Sequence, residues 1–523
     1  MSVVESSVGA VALSLGYAAQ MARWLRVLQR EHYEAASIPR FWRRWTWPDR
    51  GAVPSPHRHR SRDLSVSFLL WMVAVLAVVA ALVVDQYFIA VVGAAIYGVF
   101  SPLGLGARGR TSPLQWTRRL GMVALVGLVL SLIIVVLGLA AHAALLAGSL
   151  AVALVPFSLA LGARLLEPYE NRRAQTFVAQ ARERLVRVRP LVVAITGSYG
   201  KTSTKNHLAD LLSGDGGVVA TPKSFNNRAG LSRAINENLT DGTRVFVAEM
   251  GTYGLGEIHD LCDWCTPEIS VVTAIGPVHL ERMKSLDVIE RAKFEITERS
   301  RVVVLNVDDP RLAQWPGRLG ERRVRTAGST VVDADVRVVR EGTQWRVIVD
   351  GEEVTTMDHV VGVQPTNVAC AIAVALELGA LPSELGRRLR HVRAVANRAM
   401  VATAPSGVVV IDDTFNANPA SARASLDILD ASVEGGRRVV VTPGLIELGE
   451  FQGRDNENLA REISQRGDQL AIVGRTNVAA LDRGFARGAE CFKRRDEAVA
   501  WVRSTLGPGD AVLYLNDLPD HYP

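Results

Sequence analysis

Four apolar stretches, near residues 66–84, 86–104, 120–141 and 143–163, pass through the first third of this 523-residue chain without one Lys or Arg. Each approaches the ~20 residues that a helix needs to cross hydrocarbon. A charge at the centre of such a helix would cost about 3 kcal/mol, so the clean composition constrains the fold strongly. Helices of a soluble bundle, the alternative, usually carry a polar stripe. The sequence therefore predicts a transmembrane region of four helices over 65–164. An earlier run, "VGAVALSLGYAAQMA", is shorter and fits either a fifth span or a helix lying on the surface. It does not read as a signal peptide, because Glu5 stands where a positive charge is needed.

Arginines suggest the orientation. Arg23, Arg26, Arg30, Arg40, Arg43, Arg44, Arg50, Arg58, Arg60 and Arg62 precede the first clear span; Arg108, Arg110, Arg118 and Arg119 follow the second; Arg164, Arg172 and Arg173 follow the fourth. These segments are expected on the cytoplasmic side. The short connections around Asp85 and His142 lack Lys and Arg, and they read as outer turns of two helical hairpins. The formal charge of +6 is thus concentrated beside the apolar runs, which favours anionic membrane lipid over nucleic acid as a partner. Four cysteines give no disulfide framework, and the lone CxxC of Cys262 and Cys265 has no second pair to complete a zinc site.

From residue 190 the pattern changes. Short apolar runs, "LVVAITG", "VFVAEMG", "ISVVTAIG" and "RVVVLNVDD", alternate with helical stretches such as "KNHLADLLSG". This is α/β organisation with a largely parallel sheet. A β-rich stretch follows over 322–358, and "VVVIDD", "RRVVVTPG", "LAIVG" and "AVLYLND" predict a second α/β unit. Between the first strand and its helix lies "GSYGKTS", where Gly197 and Gly200 free backbone N–H groups to face phosphate and Lys201 adds a point charge. Thr202 offers a hydroxyl to Mg²⁺, and Ser198 and Ser203 complete the candidate nucleotide loop.

The ordered set "SFNNRAG", "VAEMGTYGLGEI", "TAIGPVHLER", "RAKFEI", "LNVDDPR", "ANRAM", "IDDTFNANPASARASL" and "TPGLIELGE" resembles the Mur ligase family, most closely its D-alanyl-D-alanine-adding branch. The resemblance implies a P-loop central domain over 188–398 and a Rossmann-like C-terminal domain over 399–523. It also implies a reaction: ATP phosphorylates a substrate carboxylate, an amine attacks the acyl phosphate, and an amide, ADP and phosphate result. Such chemistry needs cations around crowded anions more than it needs an acid/base pair.

The resemblance carries roles onto particular residues. Thr202, Glu249 and His279 match positions that hold two Mg²⁺ ions; Glu249 also fits a cap of the following turn, and His279 an ordinary core histidine. Lys293 matches a lysine that is carbamylated in several relatives, although Phe294 follows it where glycine is usual, and a plain helix-surface lysine is the alternative. Asn367 matches a residue near the adenine, without the histidine that usually precedes it. Arg398 matches an arginine directed at the γ-phosphate, and Asp413, Asn416 and Asn418 match a motif that closes over the nucleotide, or else form a simple turn.

Two departures bear on substrates. Family members begin with a domain that holds a uridine nucleotide; here a basic segment over 1–64, the apolar region and a basic linker helix over 165–187 occupy that place. At the other end, "YLNDLPDHYP" replaces a Lys-Gly-Ser stretch. The expectation is a membrane-anchored ATP-dependent amide ligase with a cytoplasmic active site, acting on small-molecule or lipid-linked acid and amine substrates, with a membrane partner protein as a further option. The rivals are a peptidoglycan ligase proper, a poly-γ-glutamate synthase-like ligase, and a membrane ATPase.

Overall fold

The computed structural model describes residues 3–46, 61–84, 87–106, 114–393, 400–414, 417–518 and 522. Two compact units are present. The first comprises Met1–Arg172, Gly474–Asp482 and Leu518–Pro523, and the second Arg173–Val473 and Arg483–Asp517.

The first unit is helical: α1 (Val3–Arg30), α2 (Ser37–Thr46), α3 (Ser61–Val84), α4 (Tyr87–Phe100), α5 (Arg118–Ala140) and the greater part of α6 (Ala144–Val188). Of the four stretches expected to span a membrane, two lie in helices long and apolar enough to do so, α5 and α6. The apolar helices Val66–Ala81 and Phe88–Phe100 are shorter. Helix α4 stops at Phe100 because Ser101 precedes Pro102, and the residue before proline is driven from helical backbone. The fourth apolar stretch and the basic linker are one continuous helix rather than two elements. His142 lies in the turn joining α5 to α6, with φ 54°. Asp85, Arg50, Arg58, Arg60, Arg108 and Arg110 lie outside the described residues.

Small residues let these helices approach closely. A Cβ on Gly98 of α4 would stand 2.6 Å from Gly16 Cα of α1, and one on Gly93 would stand 2.6 Å from the Ala77 Cβ of α3. Such close contacts bring the helix backbones near one another and let their surfaces pack tightly. Arg23 is used inside the protein: its guanidinium donates to the carbonyls of Gly98 at 2.8 Å and Leu105 at 3.0 Å, satisfying groups at the end of α4 where the helix dipole is negative.

The second unit holds two sheets. The first has nine strands: β1 (Leu191–Thr196), β2 (Val218–Ala220), β3 (Val245–Glu249), β4 (Ile269–Val272), β5 (Val302–Asn306), β6 (Arg323–Gly328), β7 (Val336–Glu341), β8 (Gln344–Val349) and β9 (Glu352–Asp358). Their order is β2-β3-β1-β4-β5-β6-β7-β8-β9, parallel as far as β7, after which β8 and β9 run antiparallel. Alternate residues of β1 serve opposite cores. Val193 and Ile195 join one cluster with Leu208, Val271 and Ile372, while Val192 and Ala194 join another with Phe246, Val303 and Leu305. Burial on both faces explains why these strands read as unbroken apolar runs.

The other sheet contains β10 (Met400–Thr403), β11 (Val409–Asp413), β12 (Arg438–Thr442), β13 (Gln469–Val473), β14 (Glu490–Phe492) and β15 (Ala511–Leu515), in the order β10-β11-β15-β12-β13-β14. Only β10 is antiparallel to its neighbour. The four strands expected here are β11, β12, β13 and β15; β2, β10 and β14, of three or four residues each, were too short to stand out in the sequence.

Candidate functional site

In the nine-stranded sheet β1 lies between β3 and β4, so the loops leaving the carboxyl ends of these three strands converge. That edge is where open α/β sheets place their ligands. The loop after β1 leads into α7 (Lys201–Leu211). Gly197 has φ 149° and Gly200 has φ 80°, both unfavourable for other residues. Space also excludes side chains, since a Cβ at Gly197 would stand 2.0 Å from Thr273 Oγ1, and one at Gly200 2.4 Å from Asn367 Oδ1. Asn367, at the start of the helix Pro365–Glu377, therefore abuts the loop itself.

Within the loop, Lys201 Nζ donates to the Gly197 carbonyl at 2.6 Å. Ser198 is engaged structurally: Gly276 N donates to its hydroxyl at 2.9 Å, and the hydroxyl donates to Gly276 O at 3.1 Å. Ser203 lies in the first turn of α7. The Thr202 hydroxyl donates to Glu249 Oε2 at 3.0 Å, joining the first turn of α7 to the end of β3. Glu249 is buried, and its carboxylate is taken up by side chains rather than by the backbone of the following turn. Asn226 donates to Oε1 at 3.1 Å, and Lys205 approaches Oε2 at 3.1 Å.

His279 belongs to a second corner. It follows β4, adopts φ 53°, and pairs through Nδ1 with Glu447 Oε2 at 2.5 Å. The Tyr253 ring packs edge-on against the imidazole at 4.5 Å. The Glu447 segment is itself anchored, because the side chain of buried Asn456 accepts from Leu445 N and donates to Leu445 O. His279 is thus neither a core histidine nor in contact with Glu249 through any described hydrogen bond.

Lys293 lies near the end of the helix Leu286–Phe294 and is 2% exposed, which removes the surface-lysine alternative. Burial, reinforced by the nearby Lys201 ammonium, pushes its amine well below the usual lysine range. Phe294 turns to Trp315, ring centroids 5.0 Å apart, and carries the Arg318 guanidinium over its face. In the second sheet, buried Asp413 accepts from the Ser425 hydroxyl at 2.8 Å, while Asn418 caps the helix Pro419–Ser432 through Ala420 N and Ser421 N. Arg398 and Asn416 lie outside the described residues. Cys262 and Cys265 are buried free thiols, and burial pushes Cys262 up to about 12.

Among the described residues no group of three or more His, Cys, Asp and Glu forms a metal cluster. The donors present, a threonine hydroxyl 3.0 Å from a carboxylate oxygen, suit a hard cation that draws its other ligands from phosphate and water. Lys205, Asn226 and Glu447 escaped the sequence reading as site members. Asn226 and Glu447 sit in motifs that marked the family, and Lys205 lies one helical turn beyond Lys201 on the same helix.

Residues 195–375 match the Mur ligase middle domain, and residues 397–515 match the Mur ligase, glutamate ligase domain. The UDP-N-acetylmuramoyl-tripeptide--D-alanyl-D-alanine ligase of Mycobacterium tuberculosis is 34% identical over 359 residues, covering 62% of this chain and 69% of the relative. The corresponding Bacillus subtilis ligase is 26% identical over 336 residues, covering 62% and 72%. Among solved structures, MurF ligase from Thermotoga maritima in complex with ADP is 25% identical and covers 66% of this chain and 80% of that one, with a TM-score of 0.58. Sequence and fold agree over the same part of the chain, which belongs to the Mur ligase family and is an ATP-dependent, ADP-forming ligase that makes an amide bond.

Proposed function

We propose that this ligase works at the cytoplasmic face of a membrane, activating a carboxylate on a small-molecule or lipid-linked acceptor and joining it to an amine. The observation that carries the membrane reading is the apolar surface of the helical unit. Val11 and Leu15 of α1, Leu76 of α3, Leu132 and Val136 of α5, and Leu161 of α6 all face outward. So many exposed large apolar side chains on one helical unit are unfavourable in water and natural in lipid. We place all four apolar helices in or at the bilayer, α5 and α6 as spans, with His142 at the outer turn and Arg118, Arg119, Arg164, Arg172 and Arg173 toward the cytoplasm.

The catalytic roles we assign are these. Backbone N–H groups at the start of α7, with Lys201, bind the ATP phosphates. Thr202 and Glu249 would hold one Mg²⁺, and His279 with Lys293 would support a second, ions that would supply positive charge beside the phosphates. Burial favours the neutral form of the Lys293 amine, the form that adds CO₂ and loses a proton, and this supports its carriage of a carbamate. Asn367, which abuts Gly200, is assigned to the nucleotide, Arg398 to the γ-phosphate, and Asp413 and Asn416 to a C-terminal segment that would close over it. Domain limits near 188 and 398 fit these roles.

A second reading, that the chain adds D-alanyl-D-alanine to a muramoyl peptide, is favoured by the name of the 34% identical relative. ADP release by purified full-length protein, with acids and amines supplied singly and together, separates the cases. The proposal expects release that needs both substrates and rises with a membrane-bound acid. Turnover of soluble UDP-muramoyl tripeptide with D-alanyl-D-alanine at comparable rate would select the second reading, and release with neither substrate would select an ATPase.

A further inference from the structure

Lys205 is 1% exposed and Glu249 is 1% exposed, so their contact is a buried ion pair. The Lys205 ammonium lies 3.1 Å from Glu249 Oε2 and also donates to the Lys223 carbonyl. The same carboxylate oxygen accepts from Thr202 at 3.0 Å, and Oε1 accepts from Asn226 at 3.1 Å. Glu249 is thus held in position and neutralised by the protein itself. A divalent cation arriving at this carboxylate must share its single negative charge with a fixed ammonium a few ångströms away, in a setting where water screens little.

We propose that Lys205 is a positioning residue that makes this corner a poor site for a free cation and a good one for a cation arriving on nucleotide phosphate. With no cation bound, Lys205 counters the buried carboxylate and keeps it aimed. With a metal–nucleotide complex, the phosphate oxygens supply the negative charge that Glu249 lacks, so nucleotide and cation load together. The inference rests on the reading of Glu249 as a cation ligand.

Direct Mn²⁺ binding to the full-length protein, followed by electron paramagnetic resonance with and without ADP, tests it. The wild-type protein is expected to bind Mn²⁺ weakly alone and at least ~10-fold more tightly with ADP. Lys205→Met is expected to tighten nucleotide-free Mn²⁺ binding by ~10-fold or more, and to melt at a lower temperature that Mg²⁺ raises more than it does in the wild type. Lys205→Gln keeps a donor without the charge and should repeat both results, which covers a methionine variant that fails to fold. Unchanged nucleotide-free Mn²⁺ affinity, together with a melting loss that Mg²⁺ leaves alone, would assign Lys205 a structural role only and overturn the inference. If Glu249→Gln leaves wild-type Mn²⁺ binding with ADP intact, the metal reading of Glu249 itself fails instead.

Discussion

The two corners of the active edge are built in opposite ways. Thr202 and Glu249 are 47 residues apart, one in the first turn of the helix that follows β1 and the other at the end of the neighbouring β3, with Asn226 and the buried Lys205 completing the network around the buried Glu249. His279 meets Glu447 across 168 residues, from a loop with left-handed backbone to a segment that follows β12 of the other sheet, and both side chains stay partly open to solvent. A corner inside one sheet is fixed whenever that sheet folds. The other exists only where the two α/β parts of this unit meet, so it is the place where closure of the C-terminal part would be felt by the chemistry.

The largest effect should come from the first corner. Lys201→Ala is expected to lower ATP turnover by ~10²- to 10³-fold with the melting temperature unchanged, because a charge is lost from a loop that glycine geometry and Ser198 already hold. Comparable turnover in the variant would remove the loop from the reaction and end the comparison.

The same corner should also be the acid-sensitive one. His207, on α7, is 1% exposed with neither ring nitrogen hydrogen-bonded, and burial pushes it down to about 4 from 6.5. The unfolded chain therefore binds a proton that the folded one refuses. The stability this gives is complete above pH 6.5 and is lost as pH falls toward 4, by about 3 kcal/mol at most. Urea unfolding of wild type and His207→Phe at pH 7.5 and 4.5 should show the acid loss shrinking in the variant; an equal loss would place the sensitivity elsewhere.

Glu447→Gln should have a smaller effect, on function rather than stability. A carboxylate on one imidazole nitrogen orients the ring, and losing such a partner typically costs ~10- to 100-fold in metal affinity or activity. The expected signature is a raised Mg²⁺ requirement for turnover. No change would mean that the His279 corner is as self-sufficient as the other.

The smallest effect should arise at the far end of α7, where Arg388 donates to Asp215 at 2.7 Å and to the Leu211 carbonyl at 3.0 Å. The bond from Arg388 holds the Asp215 carboxyl below its ordinary range. Its contribution is present above about pH 4 and disappears as pH falls through the lowered value. Asp215→Asn should cost about 1 kcal/mol or less at pH 7 and leave turnover untouched. A turnover loss would show that the phosphate loop depends on its helix along the whole length.

Much of this was legible in the chain. Runs such as "LVVAITG" and "RVVVTPG" exposed the parallel strands because burial on both faces demands unbroken apolar residues, and Gly197 and Gly200 exposed the loop because no other residue fits there. The apolar stretches were equally plain, but their lengths as helices were not: α4 ends early at its proline, and α6 runs through what read as two elements. Short strands such as β2 and β14 carry too few residues to show a period.

The sequence by itself determined the family, the α/β class of its two catalytic parts and the glycine-rich loop between the first strand and its helix, since each is a property of sequence pattern. Only the tertiary structure decided which partners those residues keep. That Glu249 is already countered by Lys205, 44 residues away, that His279 is held by Glu447, 168 residues away, and that Lys293 is buried follow from how distant elements are brought together, and composition at any one of these positions says nothing about that. The physical reason is that charge and hydrogen bonding act over a few ångströms, whereas the chain separates their donors and acceptors by whole elements.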